Sequence, residues 1–178
     1  MYELVSFKPS SQTSKIKIYA EAFKTNEELR ICFIIEDQSD LVYWEDSQKV
    51  PSRRHELWKA TCFETFFGIE GKDAYWELNL SIGGSWNFYS FDAYRNPLEP
   101  REESKVTKIG FNKVQEGNAI TRLEVMIPIQ SLNLQGKLEI SLNSVIEFKN
   151  KEKAYFAIKH VGAKPDFHQR DSFVCNLV

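Results

Sequence analysis

The chain lacks several features that would assign it to a specialised class of protein. Its 178 residues include three cysteines, Cys32, Cys62 and Cys175, with no CxxC pair and no metal-ligand spacing. Each lies among apolar neighbours, so the sequence predicts reduced, buried thiols and no disulfide framework. No apolar run approaches the roughly 20 residues needed to span a bilayer. The first ten residues have neither a basic segment nor an apolar core, which predicts the absence of a signal peptide.

An excess of charge of either sign is also missing. Lysine and arginine total 23, aspartate and glutamate total 25, and the net charge is -2. This balance gives no reason to expect nucleic acid or an anionic membrane as a partner. The reduced thiols predict a cytoplasmic protein. The composition is 42% hydrophobic and 13% aromatic, and the length suits one folded domain, residues 1–178.

Helical periodicity is almost absent, and alternation with period two takes its place. It predicts about ten short strands at intervals of roughly 8–15 residues, the spacing typical of an antiparallel β-sandwich or barrel. The predicted strands lie at residues 16–22, 29–35, 61–69, 74–82, 86–95, 106–114, 119–127, 138–142, 154–161 and 171–178. Gly83 and Gly84 predict a tight turn that makes a hairpin of the fifth strand and the one before it.

Polar side chains follow one another in phase along the strand at residues 74–82. Glu77, Asn79 and Ser81 share one of its faces. The strand before carries Glu64 within an apolar run, and the strand after carries polar groups up to Arg95. Buried carboxylates need partners, because an unpaired buried charge is very costly. The row is therefore a ligand-binding floor, an exposed sheet face or a buried structural network, and the residues leave these three interpretations open.

Aromatic residues are plentiful near this row. Stacking of an indole on the apolar face of a sugar is a common device for binding carbohydrate. Trp44, Trp58 and Trp86 are candidates because each lies at a predicted loop or strand edge, although each is equally explained as a residue of the core. Trp76 alternates with Leu78 and is assigned to the core.

These elements resemble the DOMON-like domains, relatives of the family 9 carbohydrate-binding modules, and in particular a bacterial group of them. The likeness covers nearly the whole chain and is carried by LWKATCFETFFG (residues 57–68), YWELNLS with WNFYSFDAYR (residues 75–95), and KPDFH with DSF near the end. RLEVMIPIQSLNL and KLEISLNSVIEF also match the late paired strands. The resemblance implies a two-sheet antiparallel β-sandwich with a cavity that holds haem or sugars in relatives, and it favours a role for Glu64, Glu77 and Arg95.

Three chemistries other than carbohydrate binding have candidate residues in this sequence. Glu64 and Glu77 could act as the two carboxylates of a glycosidase. Haem would need axial ligands, for which Met126 with His160 is the available pair. A metal site would draw on Asp166, His168 and Asp171, residues that more often stabilise turns. No nucleophile motif such as GxSxG is present.

The sequence therefore predicts an all-β sandwich that binds a carbohydrate or similar small polar ligand without catalysis, and needs no metal or cofactor. Haem binding in the same cavity is the first alternative and a glycosidase the second. The predicted ligand-binding residues are Trp58, Glu64, Glu77, Asn79, Trp86, Arg95, His160, Asp166 and His168. Among these, Glu77, Asn79 and Arg95 are expected to form a polar floor flanked by Trp58 or Trp86.

Overall fold

A computed structural model describes most of the chain: residues 1–45, 52–97, 106, 108–117, 119–132, 134 and 136–177. Strands dominate this part. Its helical elements are short 3-10 turns at Thr13–Lys15, Leu57–Lys59, Ile129–Ser131 and Arg170–Ser172. No helix in these ranges is long and apolar enough to cross a membrane.

The strands are numbered in chain order. They are β1 (Tyr2–Glu3), β2 (Val5–Ser6), β3 (Ile16–Lys24), β4 (Glu28–Asp37), β5 (Ser52–Arg53), β6 (Cys62–Ile69), β7 (Tyr75–Leu80), β8 (Ser85–Ala93), β9 (Asn96–Pro97), β10 (Gly110–Glu116), β11 (Ile120–Pro128), β12 (Leu138–Glu147), β13 (Lys153–Ala157) and β14 (Cys175–Leu177).

Two sheets contain these strands. The smaller has the order β1-β3-β4-β11-β10, and the larger has the order β2-β13-β12-β6-β7-β8-β5, with β14 also beside β12 and β9 beside β8. The long pairs are all antiparallel, and a two-residue contact between β5 and β8 is parallel. The predicted two-sheet antiparallel β-sandwich is confirmed.

Each predicted strand has a counterpart, but some boundaries differ. The strand expected from residue 106 begins at Gly110, although Val106 and Ile109 are buried in the core. These residues are apolar because they pack in the core and not because they pair in a strand. The prediction therefore started the strand too early. β13 ends at Ala157 and not at residue 161. The strands that were not predicted, β1, β2, β5 and β9, have two residues each, too few to show a period.

The main core lies between the sheets and is built by inward-pointing residues of both. Phe33 of β4 meets Phe63 of β6 with ring centroids 5.3 Å apart. Trp76 stacks on Phe67 at 5.5 Å, as expected for a core-side tryptophan. Burying each such side chain stabilises the fold by roughly 1.5–3 kcal/mol, so this core supplies most of the energy that holds the sheets together.

The three cysteines generate a first prediction. All are buried and none is in a disulfide, and burial raises the pKa of the Cys32 and Cys62 thiols. Because the thiolate is the reactive form, we expect native protein to take up almost no alkylating reagent over minutes and to be labelled at all three positions in denaturant. Mass spectrometry measures both. Rapid labelling of Cys62 in native protein would contradict this and would restore Cys62 as a candidate nucleophile.

Candidate functional site

A polar surface lies on the outer face of the larger sheet, opposite the core. Because side chains alternate along a strand, Phe63 and Leu78 point into the sandwich while Glu64, Glu77 and Asn79 point away from it. Strand register brings these groups together: Glu64 lies opposite Asn79, and Glu77 and Asn79 lie opposite Tyr89 and Asn87 of β8.

Aromatic rings surround this polar surface and form a second apolar cluster, separate from the main core. Tyr75 stacks on Phe91 with centroids 4.8 Å apart and an interplanar angle of 8°. Phe66, on the same face as Glu64, contacts the rings of Phe167 and His168. Those last two residues belong to residues 164–173, called here the closing segment, which folds back across the sheet.

The closing segment and the sheet enclose a cleft of about 390 Å³. This volume lies within the roughly 300–1,000 Å³ of small-molecule sites. Its lining residues are Trp58, Glu64, Phe66, Glu77, Tyr89, Phe91, Arg95, Val145, Tyr155, Pro165, Asp166, Phe167 and His168. The cleft therefore combines aromatic walls with a carboxylate floor.

The floor is deeply buried and incompletely hydrogen-bonded. Glu64 is 4% exposed, Glu77 5% and Asn79 0%. Asn79 Nδ2 donates to Glu77 Oε1 at 2.7 Å, yet Glu64 Oε1, Asn79 Oδ1 and the neighbouring Asn143 Nδ2 have no hydrogen-bond partner. Buried polar atoms nearly always have partners. Of the three residues, Glu64 lines the cleft, so its carboxyl group offers an unpaired acceptor at the floor, while Asn79 and Asn143 are fully buried beside it.

Both carboxyl groups ionise less readily than usual. Burial raises the pKa of Glu64 well above its ordinary range, and the charge of Glu77 raises it further. Burial also raises the pKa of Glu77 to about 7, against the opposing effects of the Asn79 hydrogen bond and the Arg95 charge. Two carboxylates on one water-poor face repel each other when ionised. Simultaneous ionisation of both carboxyl groups is therefore disfavoured.

His168 lies beside Glu77 within a short hydrogen-bonded chain. The Arg95 backbone N–H donates to the Tyr75 hydroxyl oxygen at 3.0 Å, and that hydroxyl lies 2.8 Å from His168 Nδ1. Donation by Tyr75 to Nδ1 leaves the ring proton on Nε2, 3.9 Å from Glu77 Oε2. Burial, and then the charge of Arg95, lower the pKa of His168 to about 4, so the ring is neutral at neutral pH.

Asp166 fastens the closing segment to β8 and the residues after it. Its carboxylate accepts hydrogen bonds from the Tyr94 hydroxyl at 2.5 Å and from Arg95 Nη2 at 2.8 Å. It also accepts bonds from Gln169 Nε2 and the His168 backbone N–H. Burial alone would raise the pKa of Asp166, but these donors outweigh it and lower the pKa to about 2.

The other end of the closing segment is held by Arg170. Its Nη2 donates to Glu139 at 2.6 Å and to the Ile69 carbonyl at 3.2 Å, and its guanidinium lies over the Phe173 ring. A Cβ on Gly68 would lie 2.2 Å from Arg170 Nη1. Gly68 therefore leaves the space through which this arginine crosses the sheet.

Trp58 borders the cleft from the opposite side. The 3-10 turn Leu57–Lys59 carries it, with Leu57 buried underneath and Glu56 entering the turn at φ 61°. The indole is 41% exposed and meets the Tyr89 ring at 5.9 Å. A large, half-open ring at the mouth of a cleft is well placed to stack on a ligand.

The structure brings together most of the predicted site residues. Trp58, Glu64, Glu77, Arg95, Asp166 and His168 line the cleft, and Asn79 lies in its floor beside Glu77.

Two predicted residues lie elsewhere. Trp86 points into the main core, where Arg53 lies over its ring at 4.5 Å, so only Trp58 of the two tryptophans can flank the floor. Because Trp86 alternates with Asn87 along β8, the sequence already places Trp86 on the face opposite Asn87. His160 is hydrogen-bonded to the Val5 carbonyl and contacts Phe7 and Phe167, behind the cleft wall.

Several lining residues were not among the predicted ones. Phe66 and Phe91 could have been found, since they are in phase with Glu64 and Tyr89 along their strands. Tyr155 and Phe167 carry no local signal, because the fold alone brings β13 and the closing segment to this face.

The residues considered for haem and metal are arranged differently. Met126 is on β11 of the smaller sheet, paired with Arg30 and Gly110, whereas His160 follows β13 of the larger sheet. In the described residues, no three His, Cys, Asp or Glu side chains are grouped so that they could hold a metal ion.

Comparison with known proteins identifies the fold. No family model matches the chain, and no curated protein does, but solved structures do. A Bacteroides uniformis protein to which carbohydrate binding is ascribed superposes with a TM-score of 0.66 at 13% identity, covering 99% of this chain and 85% of that one. A family 9 carbohydrate-binding module from Caldicellulosiruptor kristjanssonii, solved with glucose, gives 0.62 at 9% identity, covering 99% of this chain and 83% of that one.

A further structure of such a module from the same organism, solved with cellotriose, gives a TM-score of 0.56 at 9% identity, with 88% and 72% of the two chains covered. The chain thus has the β-sandwich fold of family 9 carbohydrate-binding modules, as the sequence resemblance implied. The DOMON-like relationship stays a prediction.

The contacts of Asp166 lead to a prediction for stability. Asp166→Ala removes the acceptor of several hydrogen bonds, so we expect the free energy of unfolding to fall by about 1 kcal/mol and the closing segment to exchange its amide hydrogens faster. Denaturant unfolding and hydrogen exchange measure these effects. Asp171→Ala, an exposed change in the same segment, is the control and should alter neither. An unchanged denaturation midpoint together with lost ligand binding would show that Asp166 serves the ligand and not the fold.

The raised pKa of Glu77 predicts a pH dependence of stability. Its pKa is about 7 in the folded state and 4.5 when unperturbed, so unfolding releases a proton between these values and stability falls as the pH rises through them. Glu77→Gln has no such proton and keeps an acceptor for Asn79. We expect it to exceed the wild type in stability at pH 8, by an amount on the order of 3 kcal/mol, and to match it near pH 4.

Denaturant unfolding between pH 4 and 8 measures this difference. The other titratable and charged groups facing Glu77, namely Glu64, Tyr75, Arg95, Asp166 and His168, are present in both proteins. Glu3→Gln, on the exposed strand β1, is the control and should follow the wild type throughout. A difference between Glu77→Gln and wild type that does not change with pH would contradict the raised pKa.

Proposed function

We propose that the chain is a non-catalytic carbohydrate-binding module whose site is the cleft on the outer face of the larger sheet. The observation that carries the proposal is the floor of the cleft. Glu64 Oε1 is buried without a partner in a cleft walled by aromatic rings, and Asn79 and Asn143, opposite Glu64 on the neighbouring strands, each have an unpaired amide atom as well. Sugar hydroxyls both donate and accept hydrogen bonds, while the C–H faces of the ring pack on aromatics, so a saccharide matches both parts of the site.

The shared fold supports the same class of ligand. The two Caldicellulosiruptor modules are complexes with glucose and cellotriose. In this chain a bound sugar would lie between Trp58 and the closing segment, with hydroxyls directed at Glu64 and Glu77. Each hydrogen bond to a charged group contributes about 1.5–3 kcal/mol. Ordering and desolvation offset much of this, so we expect micromolar to millimolar affinity.

A second groove extends the cleft. It has a volume of about 470 Å³ and shares Tyr155 and Pro165 with the first, and its far side carries Lys8, Glu152 and Lys153. A linear saccharide of several units that filled both grooves would cross the wall formed by Tyr155 and Pro165. We therefore propose that oligosaccharides bind more tightly than the corresponding monosaccharide.

Calorimetric titration with gluco-, galacto- and manno-configured sugars of one to four units tests the proposal. We expect saturable binding without turnover, and for Trp58→Ala an affinity lower by roughly three- to tenfold, the effect of one lost stacking contact. Phe23→Ala, which removes an exposed ring on β3 of the smaller sheet, is the matched control and should bind as the wild type does.

Three results would overturn the proposal. Products of hydrolysis that accumulate with wild type and not with Glu77→Gln would make the protein a glycosidase. A Soret band that appears on titration with haem and is lost with His168→Ala would assign the cleft to haem. Folded Trp58→Ala protein that binds a sugar as tightly as the wild type would place the sugar outside this cleft.

A further inference from the structure

The charges of the cleft are not balanced by its own residues. Among its lining residues, Glu64, Glu77 and Asp166 are acidic and Arg95 is the cation. Arg95 is already paired with Asp166 at 2.8 Å, and His168 is neutral at neutral pH because burial lowers its pKa. When Glu64 and Glu77 are ionised, Arg95 is the one cation among the described lining residues, and it offsets only part of their charge.

The unpaired floor atoms have a specific chemical preference. Glu64 Oε1 and Asn79 Oδ1, on side chains 4% and 0% exposed, are both acceptors without partners, and they belong to residues directly opposite each other on β6 and β7. Glu64 lines the cleft, so a ligand that brings a donor to its carboxyl group meets an unpaired acceptor. A hydroxyl donates one hydrogen bond, whereas an ammonium group donates three and carries the missing charge.

The walls favour the same group. Five aromatic residues besides Trp58 line the cleft: Phe66, Tyr89, Phe91, Tyr155 and Phe167. The face of an aromatic ring attracts a cation, and the attraction increases when water is excluded. An anionic sugar would meet the opposite conditions, since its carboxylate would approach two acidic side chains.

From this we infer that the cleft selects amino sugars with a free, protonated amine, which is placed against Glu64 and Glu77 within the aromatic walls. This rests on the proposed carbohydrate-binding function and narrows its ligand class. In the free protein a proton keeps the carboxyl pair from double ionisation, and the ligand's ammonium group takes over that role. Binding at neutral pH therefore releases protons from the pair.

The test compares sugars that differ only in hydroxyl against amine. Glucosamine is titrated against glucose, galactosamine against galactose, 6-amino-6-deoxyglucose against glucose, and β-1,4-linked glucosamine oligomers against cello-oligosaccharides, all at pH 7. We expect at least one amino sugar to bind about tenfold or more tightly than its neutral counterpart. We also expect its binding enthalpy to differ between phosphate and Tris buffers because protons are released.

Variants locate the effect. Glu77→Gln should reduce the preference for the amine to less than about threefold and abolish most of the proton release, and it should lower the affinity for the amino sugar more than the affinity for its neutral counterpart. Glu3→Gln, a matched change on the exposed strand β1, should keep the full preference. If Glu77→Gln is poorly folded, the comparison of sugars and buffers with wild-type protein decides the question alone.

The outcomes separate this inference from the proposed function. Neutral sugars that bind the wild type as tightly as amino sugars would overturn the amine preference and leave carbohydrate binding intact. A preference for the amine that survives in folded Glu77→Gln would overturn the placement of the amine. Binding of choline or putrescine, with no saccharide of either kind bound, would overturn carbohydrate binding and the inference together.

Discussion

The register between β6, β7 and β8 is the constraint on which the rest of the molecule depends. Since side chains alternate along each strand, this single alignment assembles Phe63, Leu78 and Phe88 on one face and Glu64, Glu77 and Tyr89 on the other. A slip of one residue in any strand would move carboxylates into the main core and aromatic rings out of it. Packing of the apolar face in the main core thus holds the strands in register and keeps the polar side chains in place.

The polar face owes its unusual chemistry to what covers it. The floor belongs to a sheet, but the closing segment and the surrounding rings remove water from it, and the loss of water raises the pKa of Glu77 to about 7. An open sheet face carrying the same residues would hold ordinary, solvated carboxylates. The site therefore consists of two parts, a rigid floor made by strands and a cover attached to it by hydrogen bonds.

The cover is attached by charged groups that also shape the cleft. Arg95 and Asp166 pair with each other at its rim, and the Arg95 backbone N–H supports Tyr75, which in turn orients His168. Arg95 adopts a left-handed conformation with φ 53°, uncommon for a side chain of this size. This conformation follows the end of β8 and directs the backbone N–H at Tyr75. The residues after one strand therefore position both the Arg95–Asp166 ion pair and the His168 ring.

The sequence by itself determined the strands, their two-faced character and the polar row with its tryptophan flank, because alternation is a local property that each segment carries independently. It did not determine which groups would join the carboxylates: Tyr155 and Phe167 line the cleft with Glu77 only because β13 lies in the larger sheet and the closing segment folds back across it. Either Trp58 or Trp86 was predicted to flank the floor, although alternation along β8 already separated Trp86 from Asn87, and the structure places Trp86 in the main core and Trp58 at the cleft. Those placements depend on contacts between residues about 70 to 100 positions apart. The exclusion of water that raises the carboxyl pKa values depends on the same contacts. Only the tertiary structure decides both.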